Sequence, residues 1–249
     1  ASFPGDPAGQ PEVKFVAGKR AVERGANCKV VHFVRHGEAL VNAAGRVFPK
    51  GDPRKSAVRQ DPQYFDSALS EKGLAQSGQL RAGTLPGRSQ PPTVGLVVAS
   101  PLTRAIQTAT AVFGCAPGDG GAPAAGAPRL CVVEALREFC SKNFQPCDQR
   151  RARPELEAAF PHADFAHVPP GPDALLAPGR VETAESADGR IRWLLAWLST
   201  RPERSIACVA HFQILTRIIK EHLVPAGWDN SEYGDLTNLE IRSVPISFD

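Results

Sequence analysis

The sequence predicts an α/β fold: a single three-layer domain with a mostly parallel central sheet and helices on both faces. Three observations carry this prediction. Short apolar runs rich in β-branched residues lie near 29–34, 94–99, 130–133 and 206–210, the pattern of strands buried on both sides. Stretches with helical spacing separate them, such as Ile191, Leu194, Leu195 and Leu198. Strands alternating with helices favour parallel pairing, since each crossover helix carries the chain back to the same end of the sheet. A chain of 249 residues supplies one sizeable core. It shows no internal repeat and no clear domain boundary. Residues 1–27 mix Pro, Gly and charge and are expected to form a loose N-terminal arm, with 28–249 as the domain.

The first strand ends in Arg35-His36-Gly37-Glu38, where Gly37 allows a sharp turn and close approach of a ligand. Residues 39–69 carry Arg46, Lys50, Arg54, Lys55 and Arg59 among Asp residues and prolines, and read as a long loop with short helical pieces. Ser70 is a candidate N-cap for a helix whose apolar face holds Leu74 and Leu80, stopped at Pro86-Gly87. After the second strand, Ser100-Pro101 is expected to open a helix with Ile106, Ala109, Val112 and Phe113 inward. Residues 114–128 are a Gly/Ala/Pro-rich loop. The third strand leads to Leu136-Arg137-Glu138, and 140–180 reads as irregular. Helices are expected over 182–200 and 212–223, flanking a fourth strand that ends in His211. Residues 239–245 alternate apolar and polar, as in a strand nearer the sheet edge.

Composition excludes several classes of function. The chain is 22% charged and 42% hydrophobic, with a net charge of +3. That is ordinary globular composition, too weakly basic to argue for nucleic acid or an anionic membrane surface. No apolar run reaches the roughly 18 residues that span a bilayer. The six cysteines show no metal-ligand spacing, so reduced thiols, a cytoplasmic setting, no metal and no cofactor are expected. With no methionine, the chain is expected to be a processed or trimmed product.

Chemistry-bearing residues recur at strand ends: Arg35 and His36, Arg104, Glu138, and His211. If the strands run parallel, their C-terminal tips gather these groups at one crevice, where ligands of open α/β sheets bind. Arginine forks match phosphate oxygens. A helix N-terminus near Ser100 would add a positive dipole end. An imidazole among cations is held neutral, and so nucleophilic. Each residue also has a plainer reading: a structural strand-end histidine, a solvated helix arginine, a surface carboxylate. Glu134 lies four residues before Glu138 and competes with it for the acid role.

Arg35-His36-Gly37-Glu38, with Asn42 following, resembles the signature of the histidine phosphatase (phosphoglycerate mutase-like) superfamily. Ser100 to Ala109 is similar to its second motif, and Asp66 to Gln76 to the start of one of its helices. Leu136-Arg137-Glu138 and Val209-Ala210-His211 resemble its acid segment and second histidine. The segments 146–151 and 237–243 are similar to the mutase-like group of plants, algae and fungi. The resemblance implies phosphorylation of His36, with Arg35, Arg104 and His211 holding the phosphoryl oxygens and Glu138 protonating the leaving oxygen. It implies no metal. Gly37, Asn42, Phe212 and Gln213 are expected to bind substrate. Arg150 and Arg151 are either a solvated face or, as the mutases place an Arg pair similarly, a second anion site.

Three departures qualify the resemblance. Phe212 stands where the family usually has glycine, and Ala210 where it usually has Ser, Gly or Thr. The ring could narrow the pocket, stack on a substrate or mark weakened catalysis. Phe48-Pro49-Lys50-Gly51-Asp52 replaces the Gly-Trp-Asp-like segment of the mutases, which argues against a glycolytic mutase. The expected activity is hydrolysis of a phosphomonoester, on a small metabolite or a phosphoprotein. A phosphomutase and a non-catalytic phospho-ligand or protein-binding module are the alternatives.

Overall fold

A computed structural model describes residues 13–24, 28–49, 51–115, 126–231 and 234–249. In chain order it contains β1 (Phe15–Ala17), α1 (Lys19–Arg24), β2 (Cys28–Arg35), α2 (Leu40–Arg46), α3 (Pro53–Gln60), α4 (Glu71–Ala82), β3 (Leu96–Ala99) and α5 (Thr103–Phe113). Then come β4 (Arg129–Val133), α6 (Arg153–Ala159), β5 (Ala163–His167), α7 (Ala184–Ser199), β6 (Ser205–Ala210), α8 (Phe212–Arg217) and β7 (Ile241–Phe248). The seven strands form one sheet in the order β1-β7-β2-β6-β3-β4-β5. The run from β2 to β5 is parallel, and β7 is antiparallel to both its neighbours. The predicted α/β architecture with a mostly parallel sheet is therefore the observed one.

Strand periodicity builds the three layers, because successive side chains point to opposite faces. Val31 and Phe33 pack with Ile191, Leu194 and Leu198 of α7 and with Ile214 and Leu215 of α8. Val34, one residue on, packs with Ala105, Ile106 and Ala109 of α5 on the other face. Both faces are covered, which is why the strands read as near-continuous apolar runs rather than alternating ones. All six cysteines are free thiols, as expected. Among the described residues no helix is long and apolar enough to cross a membrane.

Several expectations need correction. The N-terminal arm is not loose over 15–24: β1 pairs with β7 from Phe15↔Phe248 to Ala17↔Ile246, and α1 follows it. Residues 1–12 and 25–27 lie outside the described residues, as do 116–125 of the Gly/Ala/Pro-rich loop. Leu80 is buried but Leu74 is 45% exposed, and α4 stops at Gly83 in the left-handed conformation (φ 72°) rather than at Pro86. Short α6 and β5 were hidden in the proline-rich stretch after 140. β7 lies inside the sheet, covered by β1, a strand of three residues whose pattern is too short to read.

The expected N-cap Ser70 is present, its Oγ accepting from the Gly73 N–H at 3.1 Å. The Ser70 N–H in turn donates to the Glu38 carbonyl at 2.9 Å. This seats α4 directly on the segment that follows His36. A Cβ on Gly73 would stand 2.1 Å from the Glu38 carbonyl oxygen, a backbone atom that cannot swing aside. Gly73→Ala is expected to lower unfolding stability by about 2–3 kcal/mol, as overpacking does, read as a lower midpoint in urea. Gly78→Ala, where a Cβ meets nothing within 4 Å, is the control and is expected to raise stability by about 0.5–1 kcal/mol, as Gly→Ala does in a helix interior.

Candidate active site

The parallel register brings the strand tips level. Arg35 lies beside Ala210, and Ala99 beside Val209, so His36, His211 and Ser100 emerge together at one end of the sheet. The imidazoles of His36 and His211 are 5.0 Å apart, centroid to centroid. His36 Nδ1 lies 2.6 Å from the Gly37 carbonyl oxygen. A carbonyl only accepts, so Nδ1 carries the proton and Nε2 the free lone pair. Arg104 donates from Nε to that lone pair at 3.3 Å. Burial, and then the Arg104 and Arg35 guanidiniums, hold the His36 pKa well below its usual value of 6.5. The neutral form was expected from the cations, but burial is the larger cause.

Arg104 is itself held in place. It donates to the Cys147 carbonyl at 2.6 Å and to Asp148 Oδ1 at 2.5 Å. The helix bearing it begins at Thr103, not at Pro101. Asp66 accepts from the Thr103 N–H at 2.9 Å and from its hydroxyl at 2.6 Å. The positive end of α5 is thus occupied by a carboxylate of the chain itself, and the expected free dipole end is not available to a ligand. Arg35 donates to the Leu236 carbonyl at 2.5 Å, and its guanidinium lies over the Phe212 ring at 5.1 Å. Its Nε is buried with no partner among the described residues.

His211 is fully buried. Its Nε2 lies 2.7 Å from Ser100 Oγ, and its Nδ1 has no partner among the described residues. Burial, followed by Arg104, lowers its pKa well below the ordinary value. With the serine hydroxyl donating to Nε2, the Nδ1–H is an orphan buried donor, which is costly unless a ligand meets it. Glu138 accepts from the backbone N–H groups of Phe139 (2.9 Å), Ile214 (3.0 Å) and Gln213 (3.3 Å). These bonds favour the carboxylate. Burial and the nearby Asp148 outweigh them and raise its pKa above the usual value of 4.5. A neutral imidazole and a carboxyl pushed upward, lining one cavity, have the chemistry that a nucleophile and an acid require.

The chain matches the histidine phosphatase superfamily (branch 1) over residues 31–247. It belongs to that superfamily. It is 31% identical over 243 residues to a phosphoglycerate mutase-like protein of Arabidopsis thaliana, covering 88% of this chain and 84% of the relative. Phosphoglycerate mutase-like protein 1 of the same plant is 28% identical over 240 residues, covering 88% and 81%. Among solved structures it is similar to the alpha-ribazole phosphatase of Shigella flexneri, with a TM-score of 0.49, 19% identity and coverage of 86% and 89%. A mycobacterial glucosyl-3-phosphoglycerate phosphatase gives 0.48, 22%, 89% and 97%.

In this histidine phosphatase domain a cavity of about 190 Å³ is lined by Arg35, His36, Asn42, Arg104, Glu138, Phe212 and Gln213. His211 lies behind His36. Gly37 does not line the cavity. It is packed on α4, donates to Thr108 Oγ at 3.0 Å, and acts through the carbonyl that orients His36. Phe212 lines the cavity, with its ring under the Arg35 guanidinium.

The Arg150–Arg151 anion site is corrected. Arg150 is 2% exposed, and donates to Glu134 at 2.8 Å and to the Gly171 carbonyl at 3.0 Å. Arg151 pairs with Asp66 at 3.4 Å. Neither lines the cavity. Glu134, the competing carboxylate, is buried between Arg137 and Arg150 and does not line the cavity, whereas Glu138 does.

Sequence reasoning missed Ser100 as a partner of His211, Asp148 as the anchor of Arg104, and Asn238. Asn238 donates to the His36 and Gly37 carbonyls at 2.7 and 3.2 Å. The 146–151 and 237–243 segments were the available signal. Arg59 was missed too, left among the charges of a loop, yet it lines the catalytic cavity and both neighbouring ones.

Proposed function

We propose that the domain hydrolyses phosphomonoesters through a phosphohistidine on His36. The observation that carries this reading is the neutral His36 Nε2 lone pair, fixed by the Gly37 carbonyl and met by Arg104. In the first step Nε2 attacks phosphorus, the N–P bond forms, the P–O ester bond breaks, and Glu138 gives its proton to the leaving oxygen. In the second step water attacks phosphorus, the N–P bond breaks, and Glu138 takes the proton of the water. Arg35 and Arg104 line the cavity and stabilise charge as it develops on the phosphoryl oxygens, and His211, fully buried with its Nδ1 unpartnered among the described residues, is the third donor in this reading. The substrate is a small phosphorylated metabolite or a phosphoprotein. Hydrolysis is favoured over mutase chemistry because neither Arg150, buried in an ion pair with Glu134, nor Arg151 lines the cavity where an intermediate's carboxylate would be retained.

The test is p-nitrophenyl phosphate turnover in EDTA, with acid-labile, alkali-stable phosphoenzyme trapped during turnover. No turnover at any pH from acid to neutral would sink the reading, and phosphoglycerate isomerisation without phosphate release would select the mutase.

The shifted groups also set the sign of the pH dependence. His36 must be neutral, so activity falls as pH drops through its folded pKa, below 6.5. Glu138 must be protonated, so activity falls as pH rises through its elevated pKa. The expected profile of kcat/KM is a bell, its acid limb set by His36 and its alkaline limb by Glu138. Stability acts on the acid limb as well. Unfolded His36 and His211 take up protons below 6.5 that the folded state resists, so the chain loses stability as pH falls from there toward the folded pKa values.

A further inference from the structure

A cavity of about 330 Å³ opens at the end of the sheet remote from His36. Its wall forms where β2 and β6 begin and β7 ends, with Cys28, Lys29, Arg201, Arg204, Phe248 and Asp249 among the lining residues. That volume lies in the range of small-molecule sites. Lys29 and His36 are seven positions apart along extended chain, about 23 Å at the usual strand rise. The cavity shares no lining residue with the catalytic one.

Charge in this wall is unbalanced. Three cations, Lys29, Arg201 and Arg204, stand against one carboxylate, Asp249, which is already paired with Arg24. Glu203, next in the chain to Arg204, is paired with Arg129 at 3.0 Å. Lys29 Nζ donates to the Arg201 carbonyl, and to the Glu203 carbonyl at 3.3 Å. Those bonds fix the ammonium without neutralising it and leave one of its three N–H groups over. The Arg201 guanidinium lies on the Trp197 ring at 4.6 Å, and its Nε and Nη2 donate to Thr200 Oγ1 at 3.3 and 2.9 Å. Ring and hydroxyl hold it in place, and neither carries charge. Among the described residues, neither Lys29 nor Arg201 has a carboxylate at ion-pair distance. Burial, against the pull of Glu203, and then the Arg204 and Arg201 guanidiniums hold the Lys29 pKa below its usual value of 10.5. Like charges gathered in a partly enclosed space raise one another's cost, and an anion among them removes it.

We propose that this cavity binds a small oxyanion carrying two or more negative charges, a polycarboxylate or a phosphorylated compound, held by Lys29, Arg201 and Arg204. A multivalent anion fits better than a monovalent one, because a single charge would leave the repulsion among three cations largely in place. Arginine forks and an ammonium N–H are strong, charge-assisted donors to carboxylate and phosphate oxygens alike. The site does not depend on the phosphatase reading. Its occupancy joins the starts of β2 and β6, the strands that lead to His36 and His211, and stabilises the folded chain as the anion concentration exceeds the dissociation constant.

Cys28 supplies the readout, because it lines this cavity and is the one free thiol that is not buried. The full chain is treated with iodoacetamide in citrate, in methylenediphosphonate (whose P–C–P bridge resists hydrolysis) and in sodium chloride of matched ionic strength, and Cys28 labelling is followed by peptide mass spectrometry. At least one of the two multivalent anions is expected to slow labelling severalfold relative to chloride. Protection by citrate alone assigns the polycarboxylate, and protection by methylenediphosphonate alone the phosphorylated compound. Arg201→Gln should raise the concentration for half-protection about tenfold, the loss of one charge-assisted contact, and Arg201→Lys should raise it less, with circular dichroism reporting that both variants fold. The protecting anion should also raise the thermal midpoint more in the wild type than in Arg201→Gln. Binding at the catalytic cavity raises both alike, so the difference reports this cavity. Protection no greater than chloride gives, protection untouched by Arg201→Gln, or an equal thermal shift in the two proteins would overturn the site. Should Cys28 stay unlabelled in every buffer, the thermal difference decides alone.

Discussion

Replacing His36 with alanine is expected to lower kcat/KM for any phosphomonoester by about 10,000-fold or more, because a covalent mechanism without its nucleophile keeps only binding and charge stabilisation. The trapped phosphoenzyme should vanish with it. His36 sits at the end of a strand and makes its one described side-chain bond within the protein backbone to the Gly37 carbonyl. Its loss therefore leaves Arg35, Arg104 and His211 in place, and phosphate analogues such as vanadate should still bind. Retained turnover would reassign the nucleophile. Of the imidazoles at the site, His211 is the poor substitute, because its Nε2 already faces Ser100.

The second large effect belongs to Glu138. Glu138→Gln keeps an oxygen to accept the Ile214 and Phe139 N–H groups, so the start of α8 is preserved, but it removes the proton. Turnover of an alkyl phosphate, whose alkoxide cannot leave unprotonated, should fall about 100- to 10,000-fold, the range of general acid catalysis. The first step on p-nitrophenyl phosphate should be far less affected, because nitrophenolate leaves without a proton. Its second step still needs a base for water. The variant should therefore release a burst of nitrophenol and then stall, with phosphoenzyme accumulating. An equal loss for both substrates, with no burst, would show that Glu138 serves only to hold α8 and that the acid lies elsewhere. The alkaline limb of the pH profile should also disappear in this variant.

The two effects depend on one piece of packing. Arg104 touches the His36 lone pair only because Asp148 and the Cys147 carbonyl fix its other end. Asp148 is in turn adjacent to the buried cluster in which Arg137 donates to the Asp148 carbonyl at 3.0 Å. That cluster buries Glu134, Arg137, Arg150 and Asp173 together. Removing one member of such a group leaves an uncompensated buried charge, so the cluster holds in place the wall of the cavity that carries Asp148.

What was legible in the chain was local. Apolar runs marked β2, β3, β4 and β6, because a strand buried on both faces must be apolar along its whole length. The strand-end residues Arg35, His36 and His211 were legible for a related reason: a polar group that breaks an apolar run marks the place where the sheet ends. Ser70 announced α4 by the chemistry of its cap. Motif order then pointed to the superfamily. Elements without such signals were invisible. β1 is three residues long, and α6 and β5 are short pieces within a proline-rich stretch.

Tertiary structure decided everything that depended on which charge met which. Arg150 and Arg104 are both buried arginines, and nothing in their sequence neighbourhoods tells that the first closes an internal ion cluster while the second faces His36. Glu134 and Glu138 differ only by four positions along the chain, yet one is neutralised by two arginines and the other looks into the cavity. Arg59 looked like one more loop charge until α3 folded against the tip of β2. The physical reason is that an apolar side chain needs only to leave water, a requirement that sequence periodicity records. An ionised side chain needs a particular partner at a particular distance, and that partner can stand anywhere in the chain.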